Sequence, residues 1–294
     1  MLVTGATGLS GSAVIREFVR QKHAVRALVR DQTKARALTA FPTIELVEGD
    51  MSRSETLTDA LSGVERVLLL SSPNPDMVKT QTSFIDSAKK AGVRHIVKFS
   101  GMSAADVGSS FVFAGMHAEV EGYLEKSGLQ WTNLRPSQFM TEYLREVPTI
   151  LAQSTLFLPF KDAKLTPVDV GDIARAVFVL MTTAGHHGKT YVMSGPEALN
   201  MHEVAERISR AIDRPVKYVN VTPEQRNQAL WTAGVPAIFV EALDAQTHER
   251  WKGREEEVHL ETHKALGLEP TTFAQFAKRN ASAFLGESSY VGLG

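Results

Sequence analysis

The sequence predicts an α/β protein built on a doubly wound parallel sheet. Three observations carry that reading. β-favouring apolar runs alternate with helix-patterned segments from residue 2 to residue 136, the order expected of a parallel sheet covered by helices. One run, VERVLLLSS at 64–72, is almost continuously apolar, as a strand buried on both faces should be. The first strand-to-helix turn, TGATGLSG, carries Gly5, Gly8 and Gly11.

Each element follows from local pattern. Leu2-Val3-Thr4 forms a short strand, and Val14, Ile15, Phe18 and Val19 then recur on one helical face. AVRALVR (24–30) is a strand, QTKARALTAF a helix and TIELVEGD (43–50) a strand. SETLTDALSG is a short helix ending at Gly63, before the central strand 64–72. A helix stopped by Gly92, the strand 93–100, a helix stopped by Gly128 and the strand 129–136 complete the first half. Beyond it, KLTPVDVGDIARAVFVLMTTAG predicts a short strand and a helix capped by Asp169 or Asp172. KTYVMSG returns to the main sheet, NMHEVAERISRAIDR is a helix capped by Asn200, PVKYVNV is a strand, and 223–251 is mostly helical. The expected organisation is a dinucleotide-binding domain over 1–150, completed by about 168–194. A smaller, discontinuous substrate lobe takes 151–167 and 195–285, and 286–294 forms a loose tail.

Composition narrows the function. With 43% hydrophobic and 22% charged residues, the chain has the make-up of a soluble globular protein. A net charge of −1 gives no electrostatic footprint for nucleic acid or anionic membrane. The absence of cysteine excludes disulfides, thiolate catalysis and cysteine-held clusters. No apolar run nears the roughly 20 residues of a membrane span, and the N-terminus lacks a signal-peptide pattern, so a cytoplasmic protein is expected.

The glycine turn has a chemical use. A helix N-terminus presents unpaired N–H groups and attracts phosphate. Glycines allow the tight turn, the close approach of backbone to a pyrophosphate, and close helix–strand packing. The second strand ends at Arg30 and Asp31, with Lys34 following. Two cations beside one pocket favour the 2′-phosphate of NADP. The competing reading gives the ribose to Asp31, as in NAD binding, and leaves Arg30 solvated.

TGATGLSG, LVRD, VEGD, VRHIVKFSG, LRPSQFM and DVGDIARA together resemble the NmrA-like branch of the atypical short-chain dehydrogenases. Within it the chain is similar to the NAD(P)H-dependent quinone, triphenylmethane-dye and azo-dye reductases. The resemblance runs from residue 2 to about 285. It implies a Rossmann-type fold and an NAD(P)H cofactor, of which Arg30 and Lys34 favour NADPH over NADH. It places the cofactor against Gly5, Thr7, Gly8, Leu9, Ser10, Arg30 and Lys34, with Gly11 in the same turn. It puts Asp50 and Met51 near the adenine, and Ser71, Ser72 and Pro73 near the middle or nicotinamide end.

The tyrosine-dependent short-chain dehydrogenases use Tyr-x-x-x-Lys after the fifth strand, the tyrosine passing a proton. Here FAGMHAEVE puts Phe113 at the tyrosine position and His117 at the lysine position. Phenylalanine gives no proton, so alcohol–ketone chemistry is disfavoured and His117 is left to hydrogen-bond the nicotinamide ribose. The bland alternative is a surface pair of His117 with Glu121 one turn on. GMSAA lacks the second glycine of a nucleophile elbow around Ser103. HHGK and HLETH, with His259 and His263, match no metal pattern. The substrate cleft should lie between the lobes, with Phe113, Phe139, Met140, Tyr143, Phe157, Phe160, Trp231 and Phe239 as candidate walls.

Two functions fit. The first is a reductase, free of flavin and metal, that passes hydride from NADPH to a small aromatic acceptor. An electron-poor acceptor of that kind can take its proton later from water. The second is a non-catalytic, NAD(P)-binding redox sensor of the NmrA type. Monomer and homodimer are both compatible with the sequence.

Overall fold

In the computed structural model, residues 1–288 are described. Residues 289–294, most of the expected loose tail, lie outside the described residues. Among the described residues seven strands form one sheet: β1 (Leu2–Val3), β2 (Val25–Val29), β3 (Ile44–Glu48), β4 (Arg66–Leu69), β5 (His95–Phe99), β6 (Gln130–Pro136) and β8 (Lys189–Met193). Their order is β3-β2-β1-β4-β5-β6-β8, with every pair parallel. A second, two-stranded parallel sheet pairs β7 (Thr155–Leu158) with β9 (Lys217–Asn220).

Period-two alternation sorts the main sheet into two faces. Val3, Ala27, Val29, Leu68, Val97 and Phe99 point to one core, shared with α1 (Leu9–Arg20) and α6 (Val170–Thr182). Leu2, Leu28, Val67, Leu69 and Ile96 point to the other. That core is closed by α2 (Thr58–Leu61), α3 (Met77–Lys90) and α4 (Val112–Lys126). Phe18 and Phe84 anchor the two layers and are fully buried, each contributing about 1.5–3 kcal/mol relative to exposure.

A third core gathers Tyr143, Leu156, Ile208, Phe273, Phe276 and Phe284. It is enclosed by α5 (Val147–Gln153), α7 (Met201–Ile212), α11 (Phe273–Arg279) and α12 (Ala281–Phe284). α8 (Pro223–Thr232) and α9 (Ala237–Trp251) form a helical hairpin, and α10 (Glu261–Leu266) returns to the main core through Leu266. Asn200 caps α7 in a reciprocal capping box with Glu203, as expected. No described helix is long and apolar enough to cross a membrane.

Two local expectations need correction, and one open alternative is decided. The segment after β2 holds only a 3₁₀ turn over Arg36–Ala40. Asp31 accepts hydrogen bonds from Thr33 N and Oγ1 (2.9 and 2.6 Å), a local turn that competes with helix formation. The strand expected before α6 is reduced to isolated bridges, Leu165 with Leu199 and Phe139 with Val168. Asp169, not Asp172, caps α6 by accepting from Gly171 N (2.8 Å). The Asp172 carboxylate instead binds Arg175 and Thr271.

Candidate active site

The strand order reverses between β1 and β4, which opens a crevice at the carboxyl ends of those strands. Thr4 holds it open. Its hydroxyl donates to Leu70 O (2.6 Å) and accepts from Leu70 N (2.8 Å), so β4 stops at Leu69 and the chain turns away. The sequence reading did not single out Thr4; its only signal was a hydroxyl at the end of the first strand.

The three glycines divide the work of the turn. Gly5 has φ +60°, a left-handed conformation that suits glycine. A β carbon on Gly11 would lie 2.0 Å from Gly5 O, so Gly11 permits the contact of α1 with the turn. Gly8 is extended (φ −76°) and exposed, and a β carbon there would clear its nearest neighbour at 3.4 Å. The turn itself therefore does not demand glycine at position 8; space for a ligand would. Gly8 caps α1 with no side-chain hydrogen bond, and the first turn carries no acidic residue. Thr7 and Gly8 are exposed and Leu9 half-buried at this free helix end, while Ser10 is buried.

Arg30 stands exposed past the end of β2 and makes no hydrogen bond or ion pair among the described residues. Its charge helps to hold the Asp50 carboxyl below the usual range, after the larger effect of hydrogen bonds from Ser52. Those bonds, from Ser52 N (2.9 Å) and Oγ (2.7 Å), fix the Asp50 side chain. Asp31 is spent on Thr33, as described above. Lys34 is exposed, and Met51 packs half-buried against the second core.

A cleft of about 840 Å³ lies beneath the α8–α9 hairpin. Ser72 and Pro73 stand at its mouth; Ser71 instead accepts from Gln81 Nε2 (2.8 Å). Its walls include Phe111, Phe113, Phe139, Tyr143, Phe160 and Phe239. The rings of Phe113 and Phe239 lie 5.7 Å apart. Three of the sequence candidates do not line it. Met140 is buried in the third core, and Phe157 lies outside the lining. Trp231 is half-exposed, one position beyond the Pro223, Arg226, Asn227 and Leu230 stripe that faces the cleft from α8.

The charges in the cleft are largely self-compensated. Arg226 clamps Glu146 through both oxygens (2.6 and 3.2 Å), and Arg250 pairs with Glu255 at 3.0 Å. Such pairs suit an uncharged or delocalised ligand better than a localised ion.

His117 lines the cleft beside Ser100, Gly101 and Ser103. The expected alternative, a pair with Glu121, is not made. The Glu121 carboxylate is taken by Arg135 Nε at 3.0 and 3.2 Å. Instead, His117 Nδ1 lies 3.0 Å from the Nζ of Lys98, a fully buried lysine on β5. Burial, partly offset by Glu121, lowers the Lys98 pKa to about 7. Burial, then the neighbouring Lys98, lowers that of His117. Lys98 was missed by the sequence reading, although a lysine between Val97 and Phe99 in a central strand is itself a signal. His259 and His263 do not form a metal site. His263 is buried 3.7 Å from Asp172, and no group of His, Asp or Glu that could hold a metal occurs among the described residues.

The NmrA-like family matches residues 1–277. The chain belongs to that family. Among its NmrA-like relatives, the NAD(P)H azoreductase of Xenophilus azovorans is 34% identical over 284 residues, covering 97% of this chain and 99% of the relative. Quinone oxidoreductase 2 of Escherichia coli is 30% identical over 276 residues, covering 93% and 96%. The structure of the Citrobacter sp. triphenylmethane reductase complexed with NADP(H) superposes with a TM-score of 0.85 at 25% identity, covering 95% and 99%.

Proposed function

We propose that this NmrA-like protein is an NADPH-dependent, flavin-free oxidoreductase that reduces a flat aromatic acceptor: a quinone, an azo dye or a triphenylmethane dye. The observation that carries the reading is one continuous space. It runs from Ser72 and Pro73, just past the end of β4, to a pocket walled by phenylalanines, with Phe113 where a tyrosine would donate a proton.

The residues fit a dinucleotide. The uncapped N-terminus of α1 and the room above Gly8 suit a pyrophosphate. Arg30, with no ionic partner, and Lys34 suit a 2′-phosphate, whereas Asp31 is already committed to its own turn. Asp50 and Met51 flank the adenine end, and Ser72 and Pro73 the middle or nicotinamide end. When bound, the reduced dinucleotide supplies a hydride. The chain's own contribution is to stack the acceptor between aromatic walls and to exclude water. In this reading the nucleotide domain is 1–150 completed by 168–194, and the remaining segments to 285 build the acceptor side of the cleft.

The test is NADPH oxidation by purified protein, followed by absorbance against a panel of quinones, azo dyes and triphenylmethane dyes. Turnover without added flavin supports the reading. Tight NADPH binding with no acceptor reduced would leave the redox-sensor reading in its place.

A further inference from the structure

Among the described residues, Lys98 has no counter-ion in contact. It is fully buried, and its ammonium donates to Phe99 O and to His117 Nδ1. Glu121, the carboxylate whose charge acts on it, is occupied by Arg135. A buried cation without an anionic partner is a costly arrangement. Here it has one geometric consequence. A lysine that donates to Nδ1 forces the ring hydrogen of a neutral imidazole onto Nε2. His117 Nε2 makes no hydrogen bond among the described residues, and the ring lines the cleft, with Cδ2 3.8 Å from where a β carbon on Gly101 would be.

We propose that Lys98 and His117 form a proton-delivery pair for acceptors that need a proton as well as a hydride. This rests on the reductase reading above. A quinone that has gained a hydride is a quinol monoanion, one proton short of neutral product. The His117 Nε2–H bond breaks as an O–H bond forms on the acceptor, and Nδ1 takes a proton from Lys98 Nζ. Both residues are then neutral, with the imidazole hydrogen on Nδ1. After product leaves, water in the cleft returns a proton to Nε2 and Nδ1 gives its own back to Lys98. The net uptake is one solvent proton per quinone. His117 touches the acceptor; Lys98 is a positioning residue that acts through it.

A cationic triphenylmethane dye supplies the control, because hydride alone neutralises it and no proton is required. Native protein, Lys98→Met and His117→Gln would be mixed rapidly with saturating NADPH and either a p-quinone or a cationic triphenylmethane dye. With the quinone, transfer should slow about 100-fold in both variants, the range of acid catalysis, and about 30-fold more than with the dye. Independently of turnover, ¹⁵N NMR of the ligand-free native protein should show His117 protonated on Nε2 and not on Nδ1, a preference that Lys98→Met removes. Should Lys98→Met not fold, His117→Gln and the NMR of native protein decide alone. Equal slowing with both acceptors would mean that the pair only orients the cofactor, and would overturn the proposal. So would unchanged quinone reduction, or a native ring protonated on Nδ1. Reduction of neither acceptor by native protein would instead bring down the reductase reading, and the proposal with it.

Discussion

The charge state of Lys98 can be read from stability alone, without cofactor or acceptor. In the unfolded chain its amine titrates near its ordinary value of 10.5, whereas in the fold it titrates at about 7. The groups facing it are His117, and Glu121 with its partner Arg135. Because the folded pKa is depressed for a cationic group, the protonated form is disfavoured by folding. The penalty is complete below pH 7, shrinks as pH rises from 7 toward 10.5, and vanishes above that. With 1.36 kcal/mol per pKa unit, it is about 5 kcal/mol at pH 6 and about 2 kcal/mol at pH 9. No allowance for solvent screening is needed, since the side chain is fully buried. Replacing Lys98 by methionine removes the titration and keeps most of the volume. The stability gained by Lys98→Met over native protein should therefore be larger at pH 6 than at pH 9 by about 2–3 kcal/mol. Urea denaturation of both proteins at the two pH values measures it. A difference that does not change with pH would show that Lys98 keeps an ordinary pKa, and would refute the account of its burial.

The glycine turn separates fold from ligand. Gly8→Val should leave stability within about 1 kcal/mol of native yet abolish dinucleotide binding by calorimetry. Gly11→Ala, whose β carbon would meet Gly5 O at 2.0 Å, should cost about 1–3 kcal/mol of stability as an overpacking change. Binding retained in Gly8→Val would make the turn purely structural. Arg30→Ala should weaken NADPH by roughly 10- to 150-fold and leave NADH nearly unchanged; equal losses in titrations of both would return attention to Asp31. Glu121→Gln strips the partner from the largely buried Arg135 and should cost about 3–5 kcal/mol, read as a lower urea midpoint.

Much of the fold was legible because its signals are local. The alternation of Leu2 and Val3, or of Val67, Leu68 and Leu69, sends neighbours to opposite faces whatever else the chain does. Glycines at 63, 92 and 128 all take positive φ at the ends their positions announced, and Asn200 needed only Glu203 three residues on to cap its helix. The glycine turn was equally plain, since strand, turn and helix lie within twenty residues.

The candidate site was legible only in part, because its decisive contacts are made between distant segments. Asp31 and Arg30 are adjacent in sequence; a local turn commits Asp31 to Thr33, but only folding leaves Arg30 free of an ionic partner among the described residues. Phe139 faces the cleft while its neighbour Met140 is buried in another core, a distinction of direction that composition does not carry. Lys98 and His117 are nineteen residues apart, on a strand and on the helix that packs over it. The sequence by itself determined the chain order of the main-sheet strands and of most helices between them, because hydrophobic period and glycine placement act between near neighbours. Tertiary structure alone decided what faces the cleft and which buried groups are paired, because those depend on the packing of elements across the sheet, where one side chain's partner lies far along the chain.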